Sequence, residues 1–193
     1  MPLLIATCGP TAIGKTHQMH RLIASDHRRF AAVLSVTTRQ RRSAEDGEWY
    51  RLVTRESLAS LDANDVVSNV EFRGERYVLL RSEIEKALAR APIAFMAIVP
   101  SVILLMRERN IPHACINCRV GNFDGYVERL KRRGFSGEAL EAERQTARAF
   151  AYPPADPAWP QVDVEFGSDA DDDARFTDAV RALSGKLFPQ HPV

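Results

Sequence analysis

Apolar positions recur in two patterns along this chain. The apolar run Leu3–Cys8 reads as a strand buried on both faces, as in a parallel sheet covered by helices, and the mainly apolar stretches Ala31–Val36, Ile93–Val99 and His113–Cys118 read as further strands. Between them the spacing becomes helical. Thr16–Ser25 places Met19, Leu22 and Ile23 on one side, and Ser101–Arg109 starts just after Pro100. Phe123–Arg133 and Gly137–Tyr152 read as two polar, arginine-bearing helices split at Gly134. Val162–Phe166 is a last strand, and Asp172–Leu187 a closing helix with Phe176, Val180, Leu183 and Leu187 on one face. The prolines at 153, 154, 157 and 160 mark an extended loop. Alternating strands and helices predict a doubly wound α/β fold with a parallel sheet flanked by helices.

Residues 35–80 change character. Short strand-like pieces at Glu48–Val53, Asn69–Phe72 and Arg76–Leu80 flank a short helix near Arg55–Leu61, which Thr54 can cap. Ser82-Glu83-Ile84-Glu85 reads as a capping box opening a helix that runs to about Ala89. The organisation expected is one domain over 1–193. Its core is 1–34 and 81–193, its small inserted lobe 35–80, and its helical lid about 121–150.

With 193 residues, 45% of them hydrophobic, the chain can bury one sizeable core. Lysine plus arginine number 26 against 25 acids, and a net charge of +1 speaks against a nucleic-acid or anionic-membrane partner. No run approaches the length of a membrane-spanning helix. The apolar start lacks a basic region and leads straight into a glycine motif, so it reads as a buried strand and not a signal peptide. Three cysteines are too few for a disulfide framework, and a reducing cytoplasm is expected. Cys115 and Cys118 form a C-x-x-C, which admits a redox or zinc half-site or simply small residues of a buried strand. No second cysteine or histidine pair completes a zinc site, and the strand reading is preferred.

Gly9-Pro10-Thr11-Ala12-Ile13-Gly14-Lys15-Thr16 matches G-x-x-x-x-G-K-[ST], between an apolar strand and a helical pattern. The glycines let backbone N–H groups turn inward around a phosphate, and the following helix presents its positive end to the anion. Lys15 offers charge to β- and γ-phosphates, and Thr16 offers a hydroxyl to Mg2+. The candidate donor is ATP, with Mg2+ as the implied cofactor. The motif leaves open whether the acceptor is water, a nucleotide or a sugar phosphate.

Ser35-Val36-Thr37-Thr38-Arg39-Gln40-Arg41-Arg42 follows the second strand, at the carboxyl end of the sheet where α/β ligands bind. Guanidinium groups there can grip a second phosphate in bidentate fashion. With Thr37-Thr38-Arg39, Arg42, Gly47 and Tyr50 downstream of the P-loop, the chain resembles the guanylate kinase family. The resemblance extends through Gly74 and Tyr77 to Arg129-Leu130-Lys131-Arg132-Arg133-Gly134 and Arg144, covering about Leu3 to Tyr152. It implies that Ser35, Arg39, Arg42, Tyr50 and Tyr77 bind the phosphate of a monophosphate acceptor. It also implies that Arg129, Arg133 and Arg144 close over the transferring phosphoryl group. On the residues alone, Arg129–Arg133 equally fits a solvated helix face.

The sequence departs from the family at the base. The glutamate that reads guanine falls on Ser68, counting back from Gly74; a shifted register would use Glu71 instead. Val78 and Leu79 replace a glycine and a small hydroxyl residue. Met96-Ala97-Ile98-Val99-Pro100-Ser101 has none of the acids of the family's D-x-D-x-Q-G segment, so Mg2+ would rest on Thr16, phosphates and water. Three functions follow. The first is a kinase for GMP or dGMP, the family default. The second is a kinase of the same fold for another acceptor, as in the related ribose bisphosphate kinase. The third is a catalytically weak binding module.

Overall fold

Seventeen elements account for most of the chain in the computed structural model, which describes residues 2–41, 46–167 and 169–187. They are β1 (Leu3–Cys8), α1 (Lys15–Ser25), β2 (Phe30–Ala32), β3 (Ser35–Thr37), α2 (Asp46–Trp49), β4 (Tyr50–Leu52), α3 (Arg55–Leu58), β5 (Val66–Phe72), β6 (Glu75–Leu80) and α4 (Arg81–Arg90). There follow β7 (Ile93–Ala97), α5 (Pro100–Glu108), β8 (Ala114–Val120), α6 (Phe123–Arg132), α7 (Gly137–Arg148), β9 (Gln161–Phe166) and α8 (Asp169–Leu187). Five strands form an all-parallel sheet in the order β2-β7-β1-β8-β9. A second sheet, in the order β4-β3-β6-β5, is mixed and comes wholly from residues 35–80.

The central strand explains the layering. Every residue of β1 is buried, and its side chains alternate between two cores. Leu3 and Ile5 pack with Met19, Phe95, Tyr126, Leu130 and Phe176; Leu4, Ala6 and Cys8 pack with Ile84, Met96, Ile103 and Met106. The parallel sheet is therefore covered on both faces, as its continuous apolar runs require.

Three local readings are corrected. Ala31–Val36 is not one strand: β2 pairs with β7 in the large sheet, and β3 pairs with β4 and β6 in the small one. Each half carries a buried valine, Val33 or Val36, so composition does not mark the change of sheet. Glu48–Val53 is a helical turn followed by the three-residue β4. The capping box at Ser82 is absent, because Ser82 lies inside α4, whose N-cap is Leu80 with no side-chain cap bond. Asp65 caps the helix from a distance instead. Its backbone carbonyl accepts from Arg81 N at 2.8 Å, and its carboxylate accepts from Ser82 N at 2.7 Å and Ser82 Oγ at 2.6 Å. The Thr54 cap is present, accepting from Ser57 N at 3.2 Å. Among the described residues no helix is long and apolar enough to cross a membrane.

Candidate active site

The loop between β1 and α1 bends through three left-handed residues, Gly9 at φ 151°, Ala12 at 61° and Gly14 at 119°. Gly9 is forced by proximity: a Cβ there would stand 2.4 Å from the backbone oxygen of Cys118 on β8. Gly14 is the N-cap of α1 and brings no side-chain cap, which leaves the first-turn N–H groups to an anion. Lys15 folds back along the loop, its Nζ donating to the carbonyls of Gly9 at 2.8 Å and Pro10 at 2.7 Å. Burial lowers its pKa to about 8, with the charge of Arg133 adding to the effect.

This loop forms one end of a cleft of about 230 Å³ lined by Gly9, Thr11–Thr16 and Arg133. The opposite wall comes from the small sheet. Ser35 on β3, Tyr50 on β4 and Tyr77 on β6 line it, as does Arg39 just beyond β3. Arg39 is only 7% exposed, and its guanidinium lies over the Tyr50 ring, 4.1 Å from the centroid. Tyr50 meets Tyr77 edge-on, with centroids 6.3 Å apart. Of the predicted acceptor residues the structure thus brings together Ser35, Arg39, Tyr50 and Tyr77. Arg42 lies outside the described residues.

The far end of the cleft is apolar. Val70 and Phe72 of β5, Val78 and Leu79 of β6, Ile98, Val99 and Val102 enclose it, with Ser68 buried among them. The Ser68 hydroxyl has no hydrogen-bond partner among the described residues. Glu71 points to the other face of β5, where it is exposed and 3.8 Å from Arg76. Among the described residues no aspartate or glutamate lines the cleft.

The predicted lid arginines separate. Arg133 lines the cleft, but Arg129 and Arg144 do not. Arg129 is half-buried and pairs with the buried Asp172 on α8 at 3.6 Å, tying α6 to the closing helix. Arg144 bonds Glu141 at 2.8 Å and sits by the Phe123 ring. One arginine that sequence reasoning overlooked does reach the cleft: Arg73, at the tip of the β5–β6 hairpin. Its only signal is the dipeptide Arg73-Gly74 between two strand-like runs, which reads as a solvated turn.

Thr16 is exposed and lines the cleft, and its hydroxyl makes no hydrogen bond among the described residues. One free hydroxyl without a carboxylate fits Mg2+ brought in on nucleotide phosphates, with water completing its shell. It does not fit a resident metal, and no cluster of three metal-ligating side chains exists among the described residues. The cysteines are buried in the sheet. Cys8 and Cys115 both donate to Asn117 Oδ1, and burial pushes the Cys118 thiol up to about 12, so it stays protonated.

Comparison with known proteins bears on the family and the fold. Curated relatives include guanylate kinases from Onion yellows phytoplasma and Sus scrofa. The first is 28% identical over 145 residues, covering 74% of this chain and 68% of that protein. The second is 24% identical over 148 residues, covering 76% and 75%. The guanylate kinase of Anaeromyxobacter dehalogenans is 37% identical over 99 residues, half of this chain and 43% of its own length. Among solved structures, guanylate kinase from Anaplasma phagocytophilum superposes with a TM-score of 0.59 at 19% identity, covering 98% of this chain and 97% of that one. A gluconokinase from Sinorhizobium meliloti gives 0.52 at 15%, covering 98% of each. Both likenesses are of fold. The guanylate kinase family model matches residues 2–152, and the chain belongs to the guanylate kinase family of phosphotransferases.

Proposed function

We propose that this chain transfers the γ-phosphoryl group of ATP to a phosphomonoester acceptor, GMP or dGMP by family default. The observation that carries this reading is the sharing of one cleft by the phosphate loop and by Ser35, Arg39, Tyr50 and Tyr77 on the opposing sheet. Lys15 would exchange its loop carbonyls for the donor's phosphates. Arg39 would hold the acceptor phosphate with its planar fork while the hydroxyls of Ser35, Tyr50 and Tyr77 donate to it. An acceptor phosphate oxygen then attacks the γ-phosphorus and ADP leaves. Positioning and charge stabilisation carry such a transfer, and no strong base is required. Mg2+ on the donor phosphates, with Thr16 at hand, would neutralise charge there. Three buried free cysteines are consistent with a reducing cytoplasm as the place of action.

One observation favours a second reading, in which the acceptor is another nucleotide or a phosphorylated sugar. Guanine presents adjacent N–H donors, and no carboxylate lines the apolar end of the cleft to accept them. Sites built around a polar contact lose large discrimination without it.

ADP release from ATP and Mg2+ across GMP, dGMP, AMP, CMP, UMP, dTMP and ribose phosphates separates the two. Selective turnover of GMP or dGMP supports the family default. Turnover confined to another acceptor supports the second reading, and Ser68→Glu should then raise relative GMP turnover at least about tenfold. ATP binding without turnover of any acceptor refutes phosphotransfer in favour of a binding module.

A further inference from the structure

The β5–β6 hairpin carries a cation that the proposed transfer leaves unused. Arg73 and Gly74 both adopt positive φ, 54° and 76°, so the chain reverses in two residues and holds Arg73 at the tip. From there the guanidinium crosses to the phosphate loop. Its Nη2 donates to Thr11 Oγ1 at 3.2 Å and to the carboxylate of Glu143 on α7. The Phe72 and Phe135 rings flank it, at 5.1 and 5.6 Å from their centroids. Both hydrogen bonds use one nitrogen. Nε and Nη1 have no partner among the described residues, in a side chain 37% exposed at the cleft wall.

The placement identifies what those donors meet. The Lys15 ammonium lies against Gly9 and Pro10, and Arg73 lies against the next residue, Thr11. Two cations therefore flank the same three-residue stretch of loop. A P-loop lysine grips the β- and γ-phosphates. A donor chain held by Lys15 would run its terminal phosphate beside residues 9–11, within reach of Arg73. The Glu143 carboxylate, only 13% exposed, fixes the guanidinium while leaving its other edge free. The same hairpin supplies Ser68, Phe72 and Tyr77 to the acceptor wall, so it faces both substrates.

We infer that Arg73 is a further catalytic residue, donating from Nε and Nη1 to oxygens of the transferring γ-phosphoryl group. The inference rests on the phosphotransfer reading, and it assigns to the acceptor-side hairpin a charge that the lid helices were expected to supply. A planar arginine suits a transition state whose charge spreads over several phosphoryl oxygens.

The test is Arg73→Ala and Arg73→Lys, each titrated with ATP and with ADP in Mg2+ and assayed with the best acceptor of the panel. Arg73→Ala should weaken ATP about tenfold and leave ADP unchanged, and should lower kcat by about 10²- to 10³-fold. Lysine should recover only part of the loss. Glu143→Gln controls for a mere latch between hairpin and α7: it should preserve the preference for ATP over ADP that Arg73→Ala removes. An unchanged ATP-to-ADP ratio in Arg73→Ala overturns the inference, as does an equal loss of both nucleotides or the same defect in Glu143→Gln. The ratio needs no acceptor. If the wild-type protein turns over none, phosphotransfer fails, while the ratio still decides whether Arg73 contacts the γ-phosphate.

Discussion

Nucleotide binding should draw a proton onto Lys15. In the free protein burial holds its pKa near 8. A bound triphosphate surrounds the ammonium with negative charge and should return it at least to the ordinary value of about 10.4. At pH 9 the free side chain is then about 10% protonated and the bound one above about 95%, so binding takes up about 0.9 proton. Phosphate has finished titrating by that pH, and the Cys118 thiol stays protonated. The same numbers make ATP affinity fall roughly 20-fold between pH 7.5 and 9.5. Calorimetric titrations at pH 9 in buffers of different ionisation enthalpy read the uptake as a slope. Lys15→Arg, charged at every pH used, should bring it to zero. The reasoning fails if wild type shows no uptake at pH 9, or if Lys15→Arg keeps it. Linkage sets the sign for stability as well. Between pH 8 and 10.4 the unfolded lysine binds more protons than the folded one, so the nucleotide-free protein should gain stability as pH rises through that window.

Gly9→Ala should be costly even though the change is one methyl. Its φ of 151° belongs to glycine, and the Cβ would overlap the Cys118 carbonyl, which is backbone and cannot rotate away. We expect a loss of about 1–3 kcal/mol in denaturant unfolding together with ATP affinity; a variant that binds ATP like wild type would show the loop tolerates the shift. Asp65→Ala should cost about 1 kcal/mol by removing the cap of α4. The Ser82 hydroxyl, first among the causes, lowers the Asp65 pKa. Its contribution is therefore present above the unfolded value near 3.9 and lost as pH falls through the folded one. Unfolding midpoints of wild type and Asp65→Ala should converge in acid, and a gap that persists there would contradict the assignment.

Much of the fold was legible because the large sheet obeys local rules. Its inner strands β1, β7 and β8 are buried on both faces over most of their length and read as mainly apolar stretches, and the loop after β1 is specified by consecutive residues. What escaped depends on contacts distant in sequence. Val33 and Val36 are both buried, and only their pairing reveals that the chain changes sheets between them. The Ser82 motif has the letters of a capping box, but Asp65 occupies the Ser82 N–H that Glu85 would have served. Arg129 and Arg133 sit four apart on one basic stretch, yet one is anchored to Asp172 and the other reaches the cleft. Arg73 is the converse case. A turn arginine has no local mark of function, and its role emerges only where the hairpin tip meets Thr11 and Glu143.

Parity along β5 settles a question that counting left open, whether Glu71 can stand in for Ser68. The pairing of β5 with β6 shifts between Val66 and Ser68, and from Ser68 to Phe72 it is regular, Ser68 opposite Leu79 and Phe72 opposite Glu75. Ser68, Val70 and Phe72 therefore share the cleft face, and Asn69 and Glu71 share the other. Bringing Glu71 inward requires a one-residue slip, which would turn every side chain of the strand over. Val70 would move to solvent, the Arg73-Gly74 turn would lose its place in the ladder, and Arg73 would leave Thr11. The irregularity that could absorb such a slip lies upstream of Ser68 and cannot act on Glu71. The apolar end of the cleft is thus fixed by the same hairpin geometry that delivers Arg73, so a change of acceptor chemistry on β5 has to come at a cleft-facing position such as Ser68 and not at Glu71.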